Sequence, residues 1–447
     1  MAELALQATR TWPLYLVVAL AGFVTTLDNT VVTVALPTIQ QDLAASLPAL
    51  EWVATGYIIT FAGLMLAGGR LADVYGRRNA LLAGLTIFTT ASLGAGLAGS
   101  IEMLVLMRVI QGMGAALILP ATLAVLAGRP DGERSTGVAV WMASGAGALA
   151  LGPVVGGYLS QHTHWSWVFL INVPIGAVTI AFALTAVPES RPTPRRLDLP
   201  GLVASAVFLS AGTFALIHGA DRGWTSPLIL TALAASAAGG VMFLVVERRA
   251  ADPMVELALF RSRTFSGGVA AQVLWGLGVN GVFFYTALFL QGVLGFSPTA
   301  SGLAFVPLAL LVVVVTPLVP KLEVRLGPGH TVALGLALVA AGMAAVAFLR
   351  SGDGWADLLP AVCAIGVGSA LTMPLGSAVL GAVPEAQAGV AGGVFTVGRE
   401  ISGLFGIAAI GAIVHTADTF SRGYSIGLLT AAALVVGGSL ISLNTLP

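Results

Sequence analysis

The sequence predicts an all-α protein that crosses a membrane many times, and two observations carry this prediction. Hydrophobic residues make up 57% of the 447 residues and charged residues only 9%, with a mean hydropathy of +0.95. The charged residues fall in small clusters separated by apolar runs of about 20 residues, the length that a helix needs to cross the hydrocarbon core of a bilayer. This composition excludes a soluble domain of the same length.

The apolar runs predict about fourteen spans, since each run is long enough to cross the bilayer. They lie near residues 13–35, 51–70, 79–98, 102–127, 135–159, 166–187, 199–218, 226–246, 265–290, 299–320, 331–349, 357–380, 388–414 and 424–445. A proline-rich linker follows the sixth span, and a second charged segment follows the eighth. We therefore expect an N-terminal bundle of six helices at 1–187, a linker with two extra helices at 188–264, and a C-terminal bundle of six at 265–447.

The basic residues predict the orientation, because cytoplasmic loops of membrane proteins are rich in Lys and Arg. An even number of spans places both termini on one side. With the termini in the cytoplasm, fifteen of the twenty Lys and Arg residues are cytoplasmic: Arg10, Arg70, Arg77, Arg78, Arg129, Arg134, Arg191, Arg195, Arg196, Arg248, Arg249, Arg261, Arg263, Lys321 and Arg325. Arg222, Arg350 and Arg422 fall outside, and Arg108 and Arg399 lie within spans. We expect both termini in the cytoplasm.

Asp28 lies inside the first apolar run, which extends from Trp12 to Leu36. Counted from Pro13 at about 1.5 Å per residue, it is roughly two-thirds of the way across the membrane. A charged side chain in the membrane costs at least about 2.5 kcal/mol on insertion scales, and such residues face a bundle interior or a watery cavity and mark ion or substrate pathways. Asp28 is therefore a candidate proton site. The alternative is a buried hydrogen bond that only ties helices together.

Arg108 in the fourth span lies at the same depth as Asp28, since each is about seven residues from the outer end of its span. The two side chains could meet directly or share a water molecule. A nearby guanidinium favours the ionised carboxylate whereas burial disfavours it, so a small helix movement could switch Asp28 between its protonated and ionised forms. The alternative is a static buried ion pair.

The loop after the second span has the sequence G-R-L-A-D-V-Y-G-R-R at residues 69–78. Gly69 and Gly76 permit a tight turn, and Asp73 can face the positive N-terminus of a neighbouring helix. The loop resembles the G-x-L-a-D-r-x-G-r-r loop of the major facilitator superfamily. That resemblance implies a latch that holds one alternating-access state, with Asp73, Arg77 and Arg78 as part of it. The alternative is a basic loop that only sets the topology.

A weaker copy of this loop follows the tenth span. Leu322 and Gly327 stand at the same spacing as Leu71 and Gly76. Major facilitators contain related halves, so the copy supports two related six-helix bundles.

The fifth span contains Gly152-Pro153-Val154-Val155-Gly156-Gly157. Small residues let helices approach closely, and Pro153 removes a backbone hydrogen bond and permits a bend. The segment resembles the G-P-x-x-G-G segment of antiporters in the superfamily, although Ala148 stands where the family has a further glycine. The resemblance favours an exporter that exchanges substrate for protons over an importer; close packing alone is the alternative.

The stretch W-S-W-V-F-L-I-N-V-P-I-G at residues 165–176 resembles the W-R-W-x-F-x-I-N-x-P-x-G stretch of the fourteen-helix drug:proton antiporter subfamily, with Ser166 in place of the usual arginine. The segments 27–37 and 290–297 fit the same subfamily. The resemblance implies a major facilitator fold, with two six-helix bundles around a central cavity and two extra helices between them. It also places Arg108 in a motif linked to proton coupling.

Arg399 and Glu400 lie near the middle of the thirteenth span, because a break there would leave pieces too short to cross the membrane. Adjacent residues of a helix point in different directions, so we expect the two side chains to have separate partners. Glu400 is the second candidate for a proton or cation site. A structural salt bridge fits the pattern equally well.

Polar and aromatic residues within the spans are predicted to line a substrate cavity: Asn29, Gln111, Gln272, Trp275, Asn280 and Tyr285. Simple packing is the alternative for the aromatic members.

His162 and His164 lie in an outer loop without acidic companions, so no metal site is predicted. The nucleotide-binding pattern G-x-x-x-x-G-K-[ST] does not occur, and the single cysteine, Cys363, allows no intrachain disulfide.

These patterns predict a proton-coupled antiporter that exports small amphiphilic compounds, drugs or antibiotics, with the proton gradient in place of a cofactor. The expected partners are the substrate, protons and the lipid bilayer, without nucleic acid or an obligate protein partner. The expected location is the inner membrane of a bacterium. The alternatives are a dedicated exporter of one endogenous metabolite, an uncoupled facilitator and an intramembrane enzyme, for which clustered nucleophiles, acids or histidines at matched depth are missing.

Overall fold

The computed structural model describes residues 2–189, 198–250, 253, 255–384 and 387–446, and within these ranges the regular structure is helical, without a β-strand. The predicted linker residues Arg191, Arg195 and Arg196 lie outside the described residues. The chain divides into two compact units, Met1–Leu202 and Val203–Pro447. The predicted domain boundaries near 187 and 264 remain a prediction.

The first part of the chain forms seven helices. They are α1 (Ala2–Asp42), α2 (Leu47–Tyr75), α3 (Arg77–Gly96), α4 (Ile101–Ala127), α5 (Asp131–His162), α6 (Trp167–Leu170) and α7 (Asn172–Ala186). Helix α4 packs against α2 and α3, α1 packs against α5 and α7, and α3 packs against α7. This unit contains Asp28 and Arg108.

The remaining α-helices belong to the second unit, except for the first turn of α8. They are α8 (Leu199–Arg222), α9 (Pro227–Arg249), α10 (Arg263–Gly292), α11 (Pro298–Leu303), α12 (Val306–Val315), α13 (Val319–Val346), α14 (Trp355–Leu371), α15 (Pro374–Gly381), α16 (Ala388–Thr416) and α17 (Phe420–Thr445). Two short 3₁₀ segments occur at Leu257–Arg261 and Thr316–Leu318. Helix α10 packs against α16 and α17, and α13 packs against α14 and α17. Phe208 of α8 lies 5.5 Å from Phe405 of α16, measured between ring centroids.

Thirteen helical segments in the described ranges are long and apolar enough to cross a membrane. One of them, Pro298–Val346, is 49 residues long and covers two of the predicted spans. Gly327 interrupts it with a non-helical backbone (φ 78°, ψ 160°). Gly76, between α2 and α3, has a similar backbone (φ 92°, ψ 139°). The two glycines that the sequence pairs as repeats therefore make the same kind of turn between successive membrane helices.

Helix α4 has a defined start and a close neighbour. Ser100 caps it, because its hydroxyl accepts a hydrogen bond from the Met103 amide at 3.3 Å. A Cβ atom at Gly112 would collide with Thr60 Oγ1 and the Tyr57 carbonyl oxygen of α2. Only glycine permits this approach, and it brings the polar residues of α4 next to the α2 backbone.

Candidate functional site

Asp28 and Arg108 form an ion pair inside the first unit. Arg108 Nη1 donates to Asp28 Oδ2 at 2.5 Å, and the two residues are 1% and 0% exposed. Of the two arrangements that the sequence left open, direct contact or a shared water molecule, the structure has direct contact. Water has no access to the pair in this conformation.

Two amide side chains complete the surroundings of the carboxylate. Gln111 Nε2 and Asn172 Nδ2 each donate to Asp28 Oδ1 at 2.7 Å. Both residues are fully buried. Asp28 therefore accepts three hydrogen bonds from two other helices, α4 and α7, and charge-assisted bonds of this kind are the strong ones.

The Arg108 guanidinium has partners of its own. Nη1 also donates to Gln111 Oε1 at 2.7 Å, and Nε donates to the Val53 carbonyl oxygen at 3.0 Å. The guanidinium carbon lies 4.4 Å from the centre of the Tyr57 ring and 5.8 Å from that of Phe169. Residues 108 and 111 are one helical turn apart, so α4 presents both to α1 on the same face.

The arrangement can respond to a proton. A buried ion pair is tolerated only while each charge has its partner, and removal of one charge leaves the other uncompensated in a low-dielectric site. Protonation of Asp28 would cancel its attraction to Arg108 and favour their separation. Protonation at this position would therefore act on the packing of α1 against α4.

The antiporter-like segment of α5 packs on α1 beside Asp28. A Cβ atom at Gly152 would collide with Thr30 Oγ1, and one at Gly156 would lie 2.5 Å from the Val31 carbonyl oxygen. Thr30 Oγ1 also lies 3.4 Å from the Ala148 carbonyl oxygen, which accepts a hydrogen bond from it. Pro153 lies inside the helix, and Gly157 is buried. Movement of α5 would therefore act directly on the stretch of α1 that carries Asp28.

The latch-like loop connects α2 and α3 through the turn at Gly76. Arg77 Nη1 donates to the Ala124 carbonyl oxygen at 2.7 Å, in the last turn of α4, where a cation is favoured by the helix dipole. Arg78 Nη1 lies 2.9 Å from Glu189 Oε1, and its other terminal nitrogen donates to the Leu184 carbonyl oxygen. These arginines tie the start of α3 to the ends of α4 and α7.

The expectation that Gly69 belongs to a turn is wrong, because α2 extends to Tyr75 and therefore contains both Gly69 and Asp73. Asp73 is half-buried, and a Cβ atom at Gly69 would lie 3.6 Å from Pro120 of α4. The last turns of α2 are thus in contact with α4, the helix that carries Arg108.

Arg399 and Glu400 bind each other in the second unit. Arg399 Nη2 and Nε donate to Glu400 Oε1 at 2.8 and 3.1 Å. The expectation that they have separate partners is wrong, because the long arginine side chain folds back along the helix to its neighbour. Arg399 is 50% exposed and Glu400 only 14%.

The residues predicted to line a cavity occupy different environments. Asn29 is exposed, whereas Trp275 and Asn280 are half-buried. Gln272 is 7% exposed, and Tyr285 is fully buried and donates to the Ile407 carbonyl oxygen at 3.2 Å. Gln111 belongs to the Asp28 network described above. Among the predicted lining residues, Asn29 is thus the most exposed, and Trp275 and Asn280 are partly exposed.

The sequence profile of the Major Facilitator Superfamily matches residues 18–407. The chain belongs to the Major Facilitator Superfamily. It is 33% identical over 414 residues to the tetracenomycin C resistance and export protein of Streptomyces glaucescens. That alignment covers 91% of this chain and 76% of the relative. It is 35% identical over 424 residues to the methylenomycin A resistance protein of Streptomyces coelicolor, an alignment that covers 93% of this chain and 89% of the relative.

A crystal structure supports the same fold. The POT family transporter in complex with 5-aminolevulinic acid matches with a TM-score of 0.73 at 13% identity, covering 97% of this chain and 95% of that chain. Membership of the Major Facilitator Superfamily makes this chain a multi-pass membrane transporter rather than an enzyme. Among the described residues, no group of three or more His, Cys, Asp or Glu side chains could hold a metal ion.

Three residues of the network in this Major Facilitator Superfamily member were not singled out from the sequence. Asn172 binds the carboxylate, Ser92 Oγ accepts a hydrogen bond from Gln111 Nε2 at 2.8 Å, and Tyr57 lies against Arg108. All three are buried. An asparagine within an apolar span was the available signal, because such a group must find a hydrogen-bond partner inside the bundle.

Proposed function

We propose that the protein is a proton-coupled antiporter that exports small amphiphilic compounds, drugs or antibiotics, by alternating access. The observation that carries the proposal is the fully buried Asp28–Arg108 ion pair in a chain of the Major Facilitator Superfamily. A buried carboxylate whose counter-ion sits on another helix can convert proton uptake into helix movement. The names of the two relatives, which refer to antibiotic resistance and export, support an antibiotic or drug as the transported compound.

In the proposed cycle, the inward-open protein binds substrate near the middle of the membrane. Opening to the outside then lets a proton reach Asp28, and the neutral acid releases Arg108. Protonation weakens substrate binding, and loss of the proton to the cytoplasm restores the ion pair. Coupling requires only that proton and substrate disfavour each other at equilibrium.

The remaining features of the proposal follow from the charge distribution. The protein lies in the inner membrane of a bacterium with both termini in the cytoplasm, as the excess of basic residues in the cytoplasmic loops supports. The proton gradient is its energy source, without a further cofactor. Glu400 is the second proton site of the proposal, because it is the other carboxylate near the middle of a span and its partner Arg399 is half-exposed.

Substrate-induced proton movement in reconstituted vesicles tests the proposal. Tetracenomycin C, methylenomycin A and the lipophilic cation ethidium are added to vesicles that contain a pH-sensitive dye. The native protein is expected to change the lumenal pH on addition of at least one compound, and Asp28→Asn to abolish this while binding of that compound survives. Glu102→Gln is the matched control, because Glu102 is an exposed acid at the start of α4.

Three outcomes would contradict the proposal or one of its parts. Transport without proton movement in the native protein would indicate an uncoupled facilitator. Proton movement that persists in Asp28→Asn would move the coupling site to Glu400. Transport of one endogenous metabolite, with none of the three probes accepted, would indicate a dedicated exporter.

A further inference from the structure

Asn172 binds Asp28 with one end of its amide and leaves the other end unpartnered. Its Nδ2 donates to Asp28 Oδ1 at 2.7 Å, while its Oδ1 is buried and makes no hydrogen bond among the described residues. The residue is 0% exposed. A buried acceptor without a partner is unusual in a native protein and requires an explanation.

A protonated Asp28 would need an acceptor that the present network does not offer. Its Oδ2 faces Arg108 Nη1, which can only donate, and its Oδ1 faces the donor nitrogens of Gln111 and Asn172. Arg108 is the charged group that faces Asp28, and Tyr57 of α2 is the titratable group stacked on Arg108. A new O–H on the carboxyl group therefore requires one of the two amides to turn.

Gln111 is not free to turn at the moment of proton uptake, before Arg108 is released. Its Oε1 accepts from Arg108 Nη1 at 2.7 Å, and its Nε2 also donates to Ser92 Oγ at 2.8 Å. Reversal of this amide would place its nitrogen against the guanidinium and break both bonds. Reversal of the Asn172 amide breaks only the hydrogen bond from Asn172 Nδ2 to Asp28. A hydrogen bond from the protonated Asp28 to Asn172 Oδ1 replaces it.

We propose that the Asn172 amide turns over when Asp28 takes up a proton, so that Asn172 donates to the carboxylate and accepts from the acid. The proton is transferred to Asp28, the Asp28 O–H donates to Asn172 Oδ1, and no covalent bond of Asn172 changes. Asn172 makes one hydrogen bond to Asp28 in either state and is a positioning residue for the proton. This inference rests on the proposed function, since it requires that Asp28 is protonated.

Infrared difference spectroscopy tests the turnover directly. The full-length protein is prepared with ¹³C in the side-chain carbonyl of asparagine, and spectra at acid and neutral pH are subtracted. We expect a carboxylic acid band that is missing in Asp28→Asn. We also expect the labelled carbonyl of Asn172 to move to lower frequency on acidification, because it gains a hydrogen bond. This shift should disappear in Asn172→Ser and in Asp28→Asn, and remain in Asn444→Ser, where an exposed asparagine is replaced.

The experiment uses neither a substrate nor a gradient, so its outcome is separate from that of the vesicle assay. A carboxylic acid band from Asp28 without any change in the labelled carbonyl would overturn the role of Asn172 and leave antiport intact. A labelled shift that survives in Asn172→Ser would also overturn it. Missing proton movement in vesicles, combined with the expected infrared shift, would instead refute antiport and retain the turnover.

Discussion

Gly152 of α5 packs directly on Thr30 of α1, two residues beyond Asp28. Gly156, one turn further along, packs in the same way on the backbone of Val31. The two glycines hold α5 against the helix that carries the proposed proton site. Their substitution should therefore affect stability as well as transport.

Gly156→Ala is expected to destabilise the protein by about 1–3 kcal/mol, the usual cost of overpacking, because the added methyl group meets a backbone oxygen that cannot move aside. The melting temperature of the purified protein should fall. Gly147→Ala on the same helix is the matched control, since a Cβ atom there meets nothing within 4 Å. Equal melting temperatures for the two variants would refute the close contact.

Arg108→Gln is expected to cost about 3–5 kcal/mol, because it leaves Asp28 charged and buried without its counter-ion. Asp28→Asn/Arg108→Gln removes both charges and should regain part of the lost stability. Thermal unfolding of the single and double variants shows whether the double variant is the more stable of the two. Vesicle assays of the double variant should show no proton coupling. A double variant less stable than Arg108→Gln would show that the two charges do not compensate each other.

Gly76→Ala and Gly327→Ala are each expected to cost about 1–3 kcal/mol, since both glycines occupy a backbone region that residues with a side chain rarely adopt. Gly132→Ala is the control, because the space around that residue is open. The fraction of monodisperse protein after heating provides the measurement. If Gly327→Ala behaves like Gly132→Ala, the turn in the second unit tolerates a side chain.

Glu400→Gln is expected to lower the number of protons exchanged per substrate molecule without abolishing exchange. The reason is that Asp28 keeps its network, whereas the second carboxylate of the proposal is lost. Parallel measurement of proton and ethidium fluxes in vesicles gives the ratio. Arg350→Gln, which changes an exposed residue far along the chain from both carboxylates, is the control. An unchanged ratio would assign Glu400 to the structural salt bridge with Arg399.

The helical architecture and the depth of Asp28 and Arg108 follow from the sequence, because apolar length and charge position are local properties. The surroundings of Asp28 do not follow in the same way. Asn172, Ser92 and Tyr57 reach the network from three other helices, and the direction of each side chain depends on how the helices rotate against one another.

For Arg399 and Glu400, the sequence led to a wrong prediction, namely that the two side chains have separate partners. The rule that adjacent helical residues diverge holds at the backbone, but three methylene groups let a guanidinium return to its neighbour. At Gly327, helix continues on either side of a single non-helical residue, whereas the sequence predicted a connection of about ten residues between the spans 299–320 and 331–349.

The complete burial of Asp28 bears on energy conservation in the cell. For a proton-coupled transporter, a carboxylate open to water on both faces would let protons return without cargo, and each would dissipate about 2.3 kcal/mol per 100 mV of membrane potential. With no exposed surface on Asp28 in this conformation, neither compartment can load or unload it. In the proposed mechanism, a molecule in this conformation adds no proton leak, so a cell can hold many copies without discharging its membrane.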